Sequence, residues 1–528
     1  MTAPSALGYR SLMLEPRLDT EELRRRLSAV VGPEFVSASD ADRYAARDMW
    51  PRALLRRRAG RFEGLPDLVA WPADGAQAAA VVRIATQAGW PVVPFGAGSG
   101  VCGGALPERG GLVLDLKRLD RILELDSRDH LLQVECGAVG ENLERELNRR
   151  GYTLGHFPSS IYCSTVGGWI AARSAGQCSS RYGKIEDMVR AVEYLDAAGE
   201  RRSTAPLEPG LDGFSLLPLL VGSEGALCVL LSASLVVRPL PPARAFAAFR
   251  FADLAAGVTA MRSCLRAGLR PAVLRLYDEF DTLIAKTGPE ADGEASSWLR
   301  DLLGRAAKPL GRLGEASLSV LLGRPALLNR MTTLLPGGCL LVAVCEGSQG
   351  ETRETARALN AACVTAGGEE LGEGPARHWW KNRYAVSYKQ SPLFAAGAFV
   401  DTMEVATTWE RVLPLYRAVR ERLWRRCFVM AHFSHAYREG CSIYFTLAAA
   451  AGSDERAIEA YDRMWREAQE AVLAASATVS HHHGIGRLKA PFLARQLGTG
   501  GALHRALKRA FDPDGRMNPG TLFADGAR

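Results

Sequence analysis

The sequence predicts an α+β protein with two main domains, and three observations support this. Short strands and helices alternate from Leu65 to about Pro239. Within that stretch, loops dense in small residues follow or divide apolar strands. From residue 241 to 470 the texture changes to long amphipathic helices separated by apolar strands, a second α/β unit.

Residues 1–64 are rich in Arg and Glu and read as a peripheral helical extension. The first domain, 65–240, opens with the strand Leu68-Val69-Ala70-Trp71. Asp74-Gly75-Ala76-Gln77 then caps an Ala/Val-rich helix. Pro91-Val92-Val93-Pro94 forms a second strand that runs into FGAGSGVCGGALP. Strands follow at Gly111–Leu116, Ile122–Asp126 and Leu131–Cys136, then a helix near Gly140 that supplies Leu143 and Leu147. The second domain, 241–470, carries apolar strands such as Cys339–Cys345 and Ala396–Val400. The last segment, 471–528, holds Ser480-His481-His482-His483-Gly484, returns to the first domain, and closes with FDPDGRMNPG.

Composition narrows the function. The chain has 528 residues, too many for one core, with 47% hydrophobic and 23% charged residues, which argues against large-scale disorder. A net charge of +7 suits an anionic small ligand but is too small and dispersed for nucleic acid. The clusters Arg24-Arg25-Arg26, Arg56-Arg57-Arg58 and Arg425-Arg426 read first as solvated helix faces; they permit contact with an anionic membrane surface without establishing it. Eleven cysteines without a CxxC pair read as reduced thiols in a cytoplasmic compartment. No secretory signal is visible at the N-terminus. The stretch LLPLLVGSEGALCVLLSASLVV is broken by Gly222-Ser223-Glu224-Gly225, so it reads as two buried elements around a functional loop, not a membrane span.

The first small-residue loop runs Pro94-Phe95-Gly96-Ala97-Gly98-Ser99-Gly100, with Gly103 and Gly104 beyond. Glycines at this density let successive N–H groups turn inward around a pyrophosphate. A strand follows the loop, which disfavours a helix-opening dinucleotide fingerprint, and no GK[ST] follows to make a P-loop. The second loop lies in HFPSSIYCSTVGGWIAARSAGQCSSRYGKIEDMV. There Ser159, Ser160, Ser164 and Thr165 offer hydroxyls and backbone donors, and Gly167 and Gly168 allow close approach of a flat ligand. Ala172, Arg173, Ser174 and Ala175 continue the wall, and Tyr182 closes the pocket. Gly222, Ser223, Glu224 and Gly225 form the third loop, where a buried carboxylate needs a partner.

Together these three loops resemble the FAD-binding half of the vanillyl-alcohol oxidase superfamily. That implies its two-domain fold: an FAD domain of two α+β subdomains and a substrate cap. Some members attach FAD to a histidine in or near the first loop. This loop offers Cys102 and no histidine, so FAD is expected to be held non-covalently.

The carboxy-terminal half is similar to the alkyldihydroxyacetonephosphate synthase family. Ser434-His435-Ala436-Tyr437-Arg438-Glu439-Gly440 with Cys441-Ser442-Ile443-Tyr444-Phe445 resembles its SHxYxxGxxxYF stretch. SHHHGIG resembles its triple-histidine motif, and Pro271–Leu276 its arginine-bearing strand. The resemblance implies exchange of an acyl group for a fatty alcohol on a lipid-like small molecule, without net electron transfer. It assigns Tyr444 as the acid for the departing carboxylate, His481, His482 and His483 to the site wall with His482 as base, Arg275 to the substrate's polar head, and His435 to substrate contact. Such chemistry needs an acid, a base and a cation, the types present here.

The sequence also departs from that family. Where a phosphate-binding Arg is expected after a YxxxY stretch, Tyr384 and Tyr388 are followed by Lys389, which brings charge without the bidentate fork. A metal set from His432, His435 and one of the triple is the rival reading, and no metal is expected. An FAD-dependent D-2-hydroxyacid dehydrogenase or oxidase is the rival enzyme class. Extended backbone would put His481 and His483 on one side and His482 on the other. Asp278 is a candidate partner for Arg275. The sequence leaves a homodimer open.

Overall fold

The computed structural model describes residues 18–61, 64–205, 215–279, 282, 322–333, 338–385, 394 and 398–523. Lys389, Tyr388 and the start of the strand expected at Ala396 lie outside the described residues.

The first domain is built on two sheets. Strand Leu68–Ala70, the helix Gly75–Gln87 and strand Val92–Phe95 form a parallel layer with Leu112–Asp115, which lies between the two strands. Asp74 caps the helix by accepting from the Gln77 N–H at 2.8 Å, and Ala78, Val81, Val82 and Ala85 bury its apolar stripe. The second sheet is antiparallel, in the order Ile122–Asp126, Leu131–Glu135, Val229–Val236, Val189–Leu195 and Arg201–Ser203.

The second domain is one seven-stranded sheet, in the order Glu369–Gly372, Ala243–Phe251, Cys339–Gly347, Val273–Tyr277, Phe428–Ala436, Gly440–Ala450 and Ala398–Thr408. The pairings among these strands are all antiparallel, and helices Leu254–Arg266, Val412–Leu423 and Asp454–Ala474 pack on one face. The period-two alternation of the strands divides the residues between the two faces. Leu276, Met403, Phe433, Ile443 and Phe445 face the helices and are fully buried. Each such side chain contributes on the order of 1.5–3 kcal/mol by leaving water. Arg275, Thr402, Glu404, His432 and Tyr444 occupy the opposite face, turned toward the first domain.

One placement and one boundary differ from the sequence expectation. The N-terminal extension is not peripheral. Val36–Ser37 adds an antiparallel edge to the first sheet, and helix Pro51–Arg58 docks on the second domain. There Arg52 pairs with Asp462 at 2.6 Å, Arg58 pairs with Asp454, and the Trp50 indole donates to the Tyr461 hydroxyl at 3.1 Å. Helix Asp454–Ala474 also runs past residue 470, so the last segment begins inside its final turn. That segment does return to the first domain: Met517 bridges to Val92, and the Asn518 amide donates to the Gly104 and Glu224 carbonyls at 2.7 Å each. Among the described residues, no helix is long and apolar enough to cross a membrane.

Candidate active site

The three small-residue loops converge. A Cβ on Gly96 would lie 2.3 Å from the Thr165 Oγ1, so only glycine lets the first loop sit on the second. A Cβ on Gly225 would lie 3.0 Å from Pro94, which brings the third loop onto the start of the first. Thr165 caps helix Val166–Ala172 through the Gly168 N–H, placing Gly167 and Gly168 in the first turn. From Gly96 to Cys102 the backbone N–H groups have no acceptor among the described residues, a run of donors that fits a diphosphate. Asp48 fixes the far end of this loop by accepting from Ala105, Gly104 and Gly103, and burial pushes its carboxyl up to about 6 against those bonds. Nothing local in the sequence marked Asp48.

Several expected cofactor contacts are committed elsewhere. The Ser164 hydroxyl accepts from the Trp169 indole at 2.8 Å, and the buried Ser223 hydroxyl lies beside the Cys228 thiol. Accepting a bond leaves a hydroxyl its own proton, so these serines can offer a ligand an O–H as well as backbone atoms. Ser159 accepts from Gln177, and Ser160 anchors the turn that precedes Ser164 through its carbonyl. Arg173 is a left-handed helix cap paired with Glu186 at 2.8 Å, and the Ser174 hydroxyl meets the His156 ring at 2.9 Å. Ala172 and Ala175 flank that cap. The Tyr182 hydroxyl donates to Glu346 at 2.5 Å, which makes it a bridge between the domains.

Glu224 provides the link to the histidine loop. Its carboxylate accepts from the Ile485 N–H at 2.5 Å and the Gly486 N–H at 2.7 Å. Burial pushes its carboxyl up to about 7, and those bonds and the Lys489 charge offset only part of that.

The triple histidine does not alternate as extended backbone would. One oxygen of Glu404 accepts from the His481, His482 and His483 N–H groups, at 3.2, 3.1 and 2.7 Å, so the segment curls around it. The same oxygen accepts from the Ser480 hydroxyl at 2.6 Å. The other oxygen pairs with Lys489 Nζ at 2.6 Å, and both side chains are fully buried. Burial opposes the charge on Glu404, yet Lys489 and His483 hold its carboxyl well below the usual range.

The curl gathers the rings around Tyr444. His432 stacks on Tyr444 with centroids 4.6 Å apart, directly across the strand pair. His483 meets the Tyr444 edge at 5.4 Å, and His482 stacks more distantly at 6.1 Å. Burial pushes the Tyr444 hydroxyl up to about 12, so it stays protonated. Burial also holds His432, His435 and His482 well below the ordinary imidazole value, that is, as neutral rings.

Arg275 does not pair with Asp278. Its Nη2 lies 2.6 Å from the His432 Nε2 and its Nε is buried without a partner, while the guanidinium sits over the Tyr277 and Trp379 rings. Asp278 lies on the helical side, accepting from Tyr416, Arg420 and Ala431. An unfilled donor beside a Tyr and a His cluster can take an anionic or carbonyl oxygen. His435 has a left-handed backbone (φ 48°) at a bulge in its strand, which turns its ring toward Ser179 and the histidine loop. Among the described residues, no group of three or more His, Cys, Asp or Glu could hold a metal ion.

The chain matches the family model described as FAD linked oxidases, C-terminal domain, over residues 240–522, and the FAD binding domain model over residues 66–205. It is 28% identical over 491 residues to the alkyldihydroxyacetonephosphate synthase of Trypanosoma brucei brucei, covering 90% of this chain and 75% of the relative. It is 26% identical to a glycolate oxidase subunit of Bacillus subtilis, covering 96% and 98%. A solved alkyldihydroxyacetonephosphate synthase structure superposes with a TM-score of 0.74 at 23% identity, over 97% of this chain and 87% of that one. FAD is therefore the cofactor, and the two-domain α+β fold is that of these flavoproteins.

Proposed function

Starting from a chain that belongs to the FAD linked oxidase family, we propose that it exchanges the acyl group of acyl-dihydroxyacetone phosphate for a fatty alcohol, giving an alkyl ether. The observation that carries this reading is the stack of Tyr444 on His432, with Arg275 donating to Nε2 at the edge of the same histidine. A protonated acid and a cation with a spare donor stand on one sheet face, joined by a neutral histidine, and the His482 ring lies beside them as base. Relatives named alkyldihydroxyacetonephosphate synthase support the reading.

In this assignment the donors from Gly96 to Cys102 hold the FAD diphosphate. The turn Thr165–Gly168 and the loop Gly222–Gly225 flank the flavin. FAD is held non-covalently, since the first loop lacks a histidine and Cys102 is buried with its thiol pushed up by burial. When bound, it supplies the ring system at which the C–O bond is exchanged without net electron transfer. Arg275 binds the ketone or phosphate oxygens through its unfilled Nε. Tyr444 gives its proton to the departing carboxylate, and a histidine, His482 foremost, takes the proton next to the ketone and returns it. The Arg275 guanidinium lies over the Trp379 ring, 5.8 Å from its centroid.

The test is anaerobic incubation of the purified flavoprotein with acyl-dihydroxyacetone phosphate and a long-chain alcohol. Fatty acid release, an ether product and an oxidised flavin after turnover are expected. Flavin bleaching by a 2-hydroxy acid with no ether product would overturn the proposal.

A further inference from the structure

Beyond the residues that touch substrate, the site contains an unbroken hydrogen-bonded path. The His482 Nδ1 lies 3.0 Å from the His481 Nδ1. The His481 Nε2 lies 3.2 Å from the Tyr437 hydroxyl, which donates to the Ser179 hydroxyl at 3.2 Å. Ser179 in turn lies 2.8 Å from the His435 Nδ1. The path doubles back, since the His435 and His482 rings at its two ends have centroids 4.5 Å apart. At its middle, Tyr437 and His481 line an open cleft of about 940 Å³, with Thr407, Arg411 and Glu439.

We propose that Tyr437 and Ser179 are positioning residues that complete a proton relay joining His482 to His435; the inference rests on the synthase reading and deepens it. A hydroxyl has one proton and a neutral imidazole one N–H, so each link fixes the next. The path has only two polarities. In one, His482 Nδ1–H donates to His481, His481 Nε2–H to Tyr437, Tyr437 to Ser179, and Ser179 to His435. His482 Nε2 is then a bare base and His435 Nε2 carries a proton. When His482 Nε2 accepts a proton, every link shifts by one: the Nδ1 proton of His482 passes to His481, and the protons of His481, Tyr437 and Ser179 follow. His435 Nε2 releases its own to water and takes one back when the path reverses. One proton enters, one leaves, and no ring becomes charged.

That neutrality matters in this setting. Burial holds His481 down to about 3 and the two end rings well below the imidazole value, so a relay through imidazolium would be costly. The shift also turns His482 from base to acid and His435 from acid to base. The chemistry needs such an exchange, since a proton removed next to the ketone must be returned after the alcohol has added.

The experiment compares wild-type holoenzyme with Tyr437→Phe and Ser179→Ala. Both variants are expected to retain FAD and near-normal KM while kcat falls roughly 10- to 100-fold. The dependence of kcat on D2O fraction, curved in wild type because several protons move, is expected to become linear in both. A Tyr437→Phe enzyme with unchanged kcat and a curved profile overturns the relay. If wild type makes no ether, the synthase reading fails separately, and the relay is read from imidazole 15N shifts in histidine-labelled holoenzyme. The His481 and His482 resonances should then move together on Tyr437→Phe, and unchanged resonances overturn it.

Discussion

Glu404 and Lys489 form an ion pair at 2.6 Å with both side chains fully buried, and the second oxygen of Glu404 holds three consecutive histidine N–H groups. Removing one partner leaves the other charge buried and unpaired, which typically costs about 3–5 kcal/mol. Glu404→Gln is expected to lower stability to denaturant by that order and to abolish turnover. The double variant Glu404→Gln, Lys489→Met should recover part of the stability and little of the activity, because an amide oxygen holds the three histidine N–H groups more weakly than the carboxylate does. Equal stability of the single and double variants would count against the pairing.

The pH dependence follows from Glu224. Its carboxyl sits at about 7 in the folded chain against an ordinary value of 4.5. Between those values the folded protein holds a proton that the unfolded chain releases. This contribution to stability is therefore complete below about 4.5 and is lost as pH rises to about 7, a change on the order of 3 kcal/mol. Asp48 and Asp401, each raised to about 6 by burial, act in the same sense. Glu224→Gln should flatten the fall of Tm across this window, measured by thermal unfolding in buffers from pH 4 to 8.

Tyr444→Phe removes one hydroxyl from a buried strand position and leaves the stack on His432 intact. The variant should keep its FAD spectrum and its Tm to within a few degrees while kcat falls about 10²- to 10⁴-fold, the usual range for loss of a positioned acid. Rapid-quench measurement of fatty acid release checks this step directly.

Arg275→Lys is not conservative at this site. It keeps the charge but loses the planar fork that reaches His432 and lies over Tyr277 and Trp379. KM for the anionic substrate should rise by about tenfold or more, with a smaller effect on kcat. Steady-state kinetics against acyl-dihydroxyacetone phosphate at fixed alcohol makes the comparison.

The FAD cradle is tested at a single methyl. Gly96→Ala would drive a Cβ into the Thr165 hydroxyl, so the purified variant should have far less than stoichiometric flavin. Gly350→Ala, in the first turn of helix Gln349–Thr365 with nothing within 4 Å of its Cβ, should keep full flavin and gain up to about 1 kcal/mol. Absorbance ratios of the two purified proteins suffice.

Local chemistry made much of this legible in the sequence. Glycine density after a strand marked the first loop, Asp74 marked a helix start, and the resemblance to the synthase family marked Tyr444, Arg275 and the histidine triplet. The two-domain α+β layout also follows from strand and helix texture. The N-terminal extension was less legible, because its role in both domains depends on Asp462, Asp454 and Tyr461, about 400 residues away along the chain. Glu404 gave one usable signal, a carboxylate within the apolar strand AFVDTMEVATT. A sequence cannot say whether such a group faces solvent or a buried lysine.

What the sequence determined by itself is the set of elements and chemical types, because turn geometry, capping and apolar periodicity act over a few residues. What only the tertiary structure decided is pairing: Glu404 with Lys489, Arg275 with His432 in place of Asp278, and Ser179 with His435 across 256 positions. The physical reason is burial. Once water is excluded, each polar group must find its partner among whatever the packed sheets bring near, and sequence spacing carries no record of that.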